Sequence, residues 1–262
     1  MSEQPFEAPF EYSMLPEIRC RPPLNDDVHV WNISLNEIEA RRAYFAHLLS
    51  HDEQLRAARF RFAEDSTRFV LVHGALREIL SSYARIPAAQ LHFEQNRFGK
   101  PFLSHNSEHD LKFNLSYRKG RALFAVSRGH EIGIDIEQSG FALDVRTMSE
   151  FVCSSTEKCA LGKLPDEEQT GAFLRLWVRK EAALKAMGRG FSFDARQLEI
   201  GLAPEPSVFE IVCHQEEQRW LVRDLWCGGD YNAAIALQDV DLTLHFQSYP
   251  ASFPSLTTTS FW

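Results

Sequence analysis

Between residues 131 and 137 the sequence runs Glu-Ile-Gly-Ile-Asp-Ile-Glu. Strict alternation of isoleucine with small or acidic residues has a period of two, which an extended strand turns into one apolar face and one polar face. Ile132, Ile134 and Ile136 are therefore expected in the core, with Glu131, Gly133, Asp135 and Glu137 on the opposite side. Such a pattern commits the chain to a sheet that buries one side against a second layer. Neighbouring same-face residues stand about 6.5 to 7 Å apart at Cα, so the Asp135 and Glu137 carboxylates can converge on one Mg2+ ion. Gly133 beside them is expected to leave room for a ligand to approach the backbone. The same residues also suit the solvated face of an amphipathic strand, although clustered like charges cost stability unless something neutralises them.

A second constraint is the helical run from about Gly171 to Met187. At about 100° per residue, Phe173, Leu176, Trp177, Ala183, Leu184 and Met187 form one apolar stripe, and Lys180 falls inside it. A lysine there is expected to lay its stem on the core and keep its ammonium in water. Glu181 and Lys185 lie on the flank of the stripe one turn apart, with Arg175 and Arg179 pointing roughly the other way. The Glu181 and Lys185 pair reads either as a surface contact worth about 0.2 to 0.5 kcal/mol or as part of a site. Gly188-Arg189-Gly190 supplies the expected stop.

The remaining chemistry is basic and local. Arg56, Arg59, Arg61 and Arg68 cluster around the start of a helix expected over Thr67 to Tyr83, and Lys100 sits in the turn Asn96-Arg97-Phe98-Gly99-Lys100-Pro101. Arginine forks and helix N-terminal amides suit phosphate oxygens, yet a solvated helix end carrying Glu64 and Asp65 accounts for the same residues. The chain as a whole has a net charge of −8, so a nucleic-acid binder is not expected. The ten histidines show no HExxH spacing and no Gly-x-Ser-x-Gly occurs, which leaves zinc and serine hydrolases without support. Cys20, Cys153, Cys159, Cys213 and Cys227 form no CxxC pair and read as free thiols of a cytoplasmic protein. No apolar run approaches the roughly 18 to 20 residues of a membrane helix, and the acidic, proline-broken start does not resemble a signal peptide.

With 262 residues, 44% of them hydrophobic, the chain can build one large domain or two smaller ones. The signals mix helix and strand. Strands are expected at Val28 to Leu35, Gln90 to Phe93, Leu111 to Leu115, Leu198 to Gly201, Val208 to Cys213, Trp220 to Leu225 and Asn232 to Leu237, with a helix over Asn36 to Leu49. Arg121 to Ser127 and Glu131 to Glu137, separated by Arg128-Gly129-His130, carry a hairpin signature. A weak internal echo, Ala88-Ala89-Gln90-Leu91 after the first long helix and Ala195-Arg196-Gln197-Leu198 after the second, suggests a duplicated α+β half. The expected division is an irregular segment at 1–26, an N-terminal half at 27–127, a C-terminal half at 128–249 and an irregular tail at 250–262.

Taken together, Gly99-Lys100-Pro101, Phe113-Asn114-Leu115-Ser116, Gly133-Ile134-Asp135-Ile136-Glu137 and Trp177-Val178-Arg179-Lys180-Glu181-Ala182-Ala183-Leu184-Lys185 closely resemble the Sfp-type 4′-phosphopantetheinyl transferases in order and spacing. The matched region runs from about Arg56 to Gly190. The resemblance implies a monomeric α+β fold of two similar halves related by a pseudo-twofold, with coenzyme A and Mg2+ bound between them. It implies transfer of the 4′-phosphopantetheine arm to a serine of an acyl or peptidyl carrier protein, with release of adenosine 3′,5′-bisphosphate. Asp135, Glu137 and Glu181 would then hold Mg2+, Glu181 would also serve as base, and Lys185 would contact the pyrophosphate. Arg56, Lys100 and Ser116 would bind the nucleotide's phosphates, with Arg59, Arg61 and Arg68 as weaker candidates. Tyr117 replaces the histidine that often follows the serine in the family, exchanging a cationic contact for a hydroxyl, and Val178 replaces a common Ser, Thr or Cys. A non-catalytic coenzyme A or nucleotide-binding protein on the same fold and a Mg2+-dependent phosphohydrolase are the competing readings.

Overall fold

The isoleucine alternation forms a strand, β6 (Ile132–Gln138), and the lysine-bearing stripe a helix, α6 (Asp166–Ala186), which lies across the polar face of that strand. The computed structural model describes residues 23–24, 26–104, 110–140, 143–203, 207–213, 216–238 and 242–250. Nearly all of the two segments expected to be irregular, 1–26 and 250–262, lies outside the described residues.

Before β6 come β1 (Asp27–Ser34), α1 (Arg42–Leu48), α2 (His51–Ala58), the long α3 (Ala63–Ala84), a small hairpin of β2 (Phe93–Gln95) and β3 (Pro101–Leu103), and then β4 (Leu111–Arg118) and β5 (Arg121–Arg128). After β6 come α4 (Val145–Val152), α5 (Ser155–Leu161) and α6, then β7 (Ser207–Cys213), β8 (Glu216–Leu225), β9 (Tyr231–Gln238) and β10 (Thr243–Ser248). The sheets have the orders β10-β1-β5-β4 and β6-β9-β8-β7. Within them β1-β5-β4 and β6-β9-β8 repeat one plan, in which the first strand of a half lies antiparallel to its last. Each long helix is followed by a short 3-10 turn, Ala88–Gln90 and Ala195–Gln197, at the two places where the sequence echoes itself. This is the duplicated α+β arrangement expected from the sequence. The last strand departs from the repeat: β10 runs parallel to β1, pairing Asp27 with Thr243 and Asn32 with Ser248.

Three apolar clusters hold the layers together, one under α3, one under α6, and one between the two sheets. The third contains Ile132, Ile134 and Ile136 with Val28, Val30, Leu123 and Ile235. It explains why the hairpin expected at Arg128-Gly129-His130 does not form. Gly129, at φ +76°, turns the chain, but β6 pairs with β9 and not with β5, so the turn is a crossover between sheets. The local signature of a glycine turn is the same in both cases, and burial of the isoleucines between the sheets decides the partner. The hairpin that does form joins β4 to β5 around Lys119 and Gly120.

Other boundaries shift for local reasons. The helix expected over Asn36 to Leu49 splits into a 3-10 turn at Glu39–Arg41 and α1. Residues Leu198 to Gly201 form no strand, because Ile200 N and Gly201 N donate to the Glu157 carboxylate (3.0 and 3.1 Å) instead of to a neighbouring strand. The strand expected at Gln90 to Phe93 starts only at Phe93, after the 3-10 turn. Helices α2 and α5 begin with capping boxes, Ser50 with Glu53 and Ser154 with Glu157, a readable signal that the sequence reading passed over.

Candidate functional site

Asp135 is the centre of the site and is only 5% exposed. Its Oδ1 accepts hydrogen bonds from Ser116 Oγ at 2.8 Å and Lys185 Nζ at 2.6 Å, and Lys185 also donates to Ile134 O at 3.2 Å. Its Oδ2 is buried and has no hydrogen-bond partner among the described residues. Three elements therefore meet on one carboxylate: β4 from the first half, and β6 and α6 from the second. Asn114, also on β4, accepts Ile134 N at 2.8 Å through its side-chain oxygen and so sets β4 against β6. The sequence placed Ser116 among phosphate contacts and assigned Asn114 no role.

Glu181 and Glu137 border this centre. Burial pushes the Glu181 carboxyl up to about 7, and the nearby Asp135 and Glu137 charges push the same way while Lys185 opposes them. Glu137 is also raised, first by burial, with Arg118 opposing at 3.0 Å and Asp135 adding to the shift. Three acids crowd together with an ammonium and a guanidinium at their edge, and a buried carboxylate oxygen lacks a partner. That donor set suits a hard divalent cation, which would supply the missing positive charge. As they stand, however, no three or more His, Cys, Asp or Glu side chains among the described residues are placed so that together they could hold a metal ion.

The helix and strand meet at Gly133. A Cβ built there would lie 2.1 Å from Ala182 O and 2.3 Å from Ala186 N. The open space expected for a ligand beside Gly133 is therefore filled by the α6 backbone, and the glycine serves helix-on-strand contact. This contact sets Glu181 and Lys185, on the α6 flank, against Asp135.

Two cations of α6 differ from their expected positions. Lys180 does not reach water: it is 1% exposed and donates to Glu157 Oε2 (2.5 Å), Val152 O (2.8 Å) and Ala195 O (3.0 Å). Arg179 is fully buried and grips Asp224 with two bonds of 2.6 and 2.8 Å while donating to Ala203 O. A stripe analysis could not foresee either, because the acids that receive them lie on α5 and β8.

The basic candidates separate into two places. Lys100 donates to Glu131 Oε2 (2.6 Å), Ile132 O (3.1 Å) and Ala186 O (3.0 Å), and burial lowers its pKa. With Asn96, which donates to Gly188 O at 2.8 Å, it ties the β2–β3 turn onto the end of α6. A cavity of about 530 Å³ opens beside it, lined by Lys100, Phe102, Lys112, Phe113, Glu131 and Met187, at the opposite end of β6 from Glu137. Arg56 and Arg68 instead lie near Tyr117, whose phenol is raised by burial with the two guanidiniums opposing. Arg56 stacks over Phe69 with its Cζ 5.2 Å from the ring centroid, and Arg68 bonds Asp65 at 2.8 Å. Arg61 lies over Phe62, and Arg59 is exposed. Ser116 and Tyr117, adjacent on β4, face opposite ways, one to Asp135 and the other to this arginine pair.

Comparison with known proteins bears on this arrangement. A family profile described as the 4'-phosphopantetheinyl transferase superfamily matches residues 131–236, and one described as 4'-phosphopantetheinyl transferase, N-terminal, matches residues 30–128. Among curated relatives, the 4'-phosphopantetheinyl transferase HetI of a Nostoc species is 36% identical over 216 residues, covering 82% of this chain and 89% of its own. The 4'-phosphopantetheinyl transferase gsp of Aneurinibacillus migulanus is 27% identical, covering 68% and 67%. The human L-aminoadipate-semialdehyde dehydrogenase-phosphopantetheinyl transferase is 26% identical, covering 79% and 72%.

Proposed function

The chain belongs to the 4'-phosphopantetheinyl transferase superfamily, and on that premise we propose how its cleft carries out the transfer. It is an enzyme that moves the 4′-phosphopantetheine arm of coenzyme A onto a carrier protein. The observation that carries our reading of the site is the divided Asp135 carboxylate, with Oδ1 held by Ser116 and Lys185 and Oδ2 without a partner.

In the reaction a carrier serine oxygen forms a bond to the β-phosphorus of coenzyme A. The bond from that phosphorus to the bridging oxygen breaks, and adenosine 3′,5′-bisphosphate leaves with the electron pair. The serine proton must go to a base. Glu181, with a proton affinity poised near neutrality, is suited to take it. Lys185, one turn on, neutralises negative charge on the pyrophosphate oxygens beside Asp135. Arg56 on α2 and Arg68 on α3 lie near Tyr117 of β4 and would bind the nucleotide's phosphates from there, with Arg61, between them in sequence, as a weaker candidate. Lys100 has its donors engaged within the protein, so in our reading it shapes the floor of the cleft and reaches a phosphate only by giving up one of those bonds. Asp135, Glu137 and Glu181 would hold Mg2+, which would supply charge stabilisation at the phosphate of the departing bisphosphate.

We further assign the carrier as an acyl or peptidyl carrier protein, the active form as a monomer, and the cytoplasm as its location. The free thiols Cys153, Cys159 and Cys227 suit the last, and no helix among the described residues is long and apolar enough to cross a membrane. One assay tests the reading: incubation with coenzyme A and Mg2+, with and without an apo-carrier, followed by mass measurement of the carrier. A gain of one phosphopantetheine arm that depends on Mg2+ supports it. Carrier-independent release of the bisphosphate would make the protein a phosphohydrolase, and coenzyme A binding without either product would make it a binding protein.

A further inference from the structure

Lys180 precedes the proposed base in the chain, yet it faces the other way, into the body of the second half. It and Glu157 are each 1% exposed. An ion pair buried this deeply is costly to desolvate, and it persists only when every lone pair and proton is used. Here each is used: Lys180 makes three bonds, while Glu157 accepts Ser154 N, Ile200 N and Gly201 N in addition to the ammonium. The pair joins four segments: α6, the α4–α5 junction, the 3-10 turn at Ala195 and the coil at 200–201. A hydrophobic pair of the same volume would fill the space at lower cost, but it would not fix the rotation of α6 about its axis, because apolar contacts are not directional.

We propose that Lys180 and Glu157 are positioning residues that set the roll of α6, and through it the aim of Glu181 and Lys185 at Asp135. The inference rests on the assignment of Glu181 to the transfer site. Gly133 fixes how closely α6 approaches β6, and the buried pair, on the opposite side of the helix, fixes its rotation. A rotation of one residue's worth, about 100°, is not needed to disable the site, since a misplacement of about 1 Å can cost about 10²-fold in rate.

The test uses the full chain and four variants: Lys180→Met, Glu157→Leu, the double Lys180→Met/Glu157→Leu, and Glu181→Gln as a control. All are assayed well below their melting temperatures, with folded fraction measured by circular dichroism. The double variant removes both charges together, so it folds where a single change leaves a stranded ion. Expected is a loss of kcat of about tenfold or more per folded molecule in the double variant, with the KM for coenzyme A within about twofold of wild type. The loss in the double variant should also be no larger than in either single variant, as for residues that act as a unit. Wild-type kcat per folded molecule in the double variant overturns the inference, as does a loss that tracks the folded fraction alone. If Glu181→Gln retains full kcat, the site assignment fails first, and the two failures are told apart by that control.

Discussion

Replacing Gly133 by alanine adds one methyl group where, among the described glycines, a side chain would meet its neighbours at the shortest distance. That carbon would lie 2.1 Å from Ala182 O, 2.3 Å from Ala186 N and 2.9 Å from Ala186 Cα. All three obstacles are backbone, so no side-chain rotamer can relieve the clash. The helix must retreat by about an ångström, and overpacking of this kind costs about 1 to 3 kcal/mol or more. For a chain of this size that lowers Tm by roughly 2 to 12 °C. The kinetic loss should exceed what stability alone implies, because the retreat carries Lys185 away from Asp135 Oδ1, now 2.6 Å distant, and Glu181 with it. A displacement of about 1 Å corresponds to as much as about 10²-fold in kcat. Thermal melts and single-turnover transfer to an apo-carrier measure both effects. An alanine variant with wild-type Tm and wild-type kcat would refute the argument that this glycine exists for helix-on-strand contact.

Glu181→Gln should cut kcat by about 10²-fold, the range of a general base, while raising stability at neutral and higher pH. The folded chain holds the Glu181 proton up to about 7 whereas an unfolded one releases it near 4.5, so this residue removes stability as pH rises between those values. Metal-free melts should show the Gln variant gaining on wild type from about pH 5 to 8, and a constant difference across that range would sink the assignment. Lys100→Met should lower Tm by several degrees, because two backbone carbonyls and the Glu131 carboxylate lose their donor, and an effect confined to a salt-sensitive KM would return Lys100 to the phosphate patch. Arg56→Ala should raise the KM for coenzyme A by an amount that shrinks with added salt, leaving Tm nearly unchanged, since Arg56 is exposed and exposed contacts are screened. Equal KM values at low and high salt would remove Arg56 from the site.

The acid strand and the long helix were legible in the sequence because each carries its own periodicity, and both Asp135 and Glu181 could be named from them. What joins the two was not. Gly133 looks the same whether its missing side chain admits a ligand or a helix, and only the partner's backbone decides. Lys180 looked like a surface lysine because Glu157 lies on another helix, beyond the reach of a stripe analysis. Arg128-Gly129-His130 carried a correct turn signal, but a turn does not name the strand that will pair next. Each of these errors concerns a contact between distant segments, where sequence spacing holds no information on distance.

The pairing of β10 with β1 has a consequence for how this protein is made. The two strands lie near opposite ends of the described chain, and Tyr249, just past β10, donates to Glu78 on α3, which also holds Arg41. While the ribosome is still producing the second half, β1, paired with β5 on one side, is a bare edge on the other, with the amide and carbonyl groups of that side open to any passing strand. The first sheet is completed only when the last strand emerges, so the two halves cannot mature one after the other as independent beads would. A nascent chain stalled before Thr243 should therefore remain protease-sensitive in its N-terminal half, and expression at limiting chaperone should lose protein to aggregation at that stage.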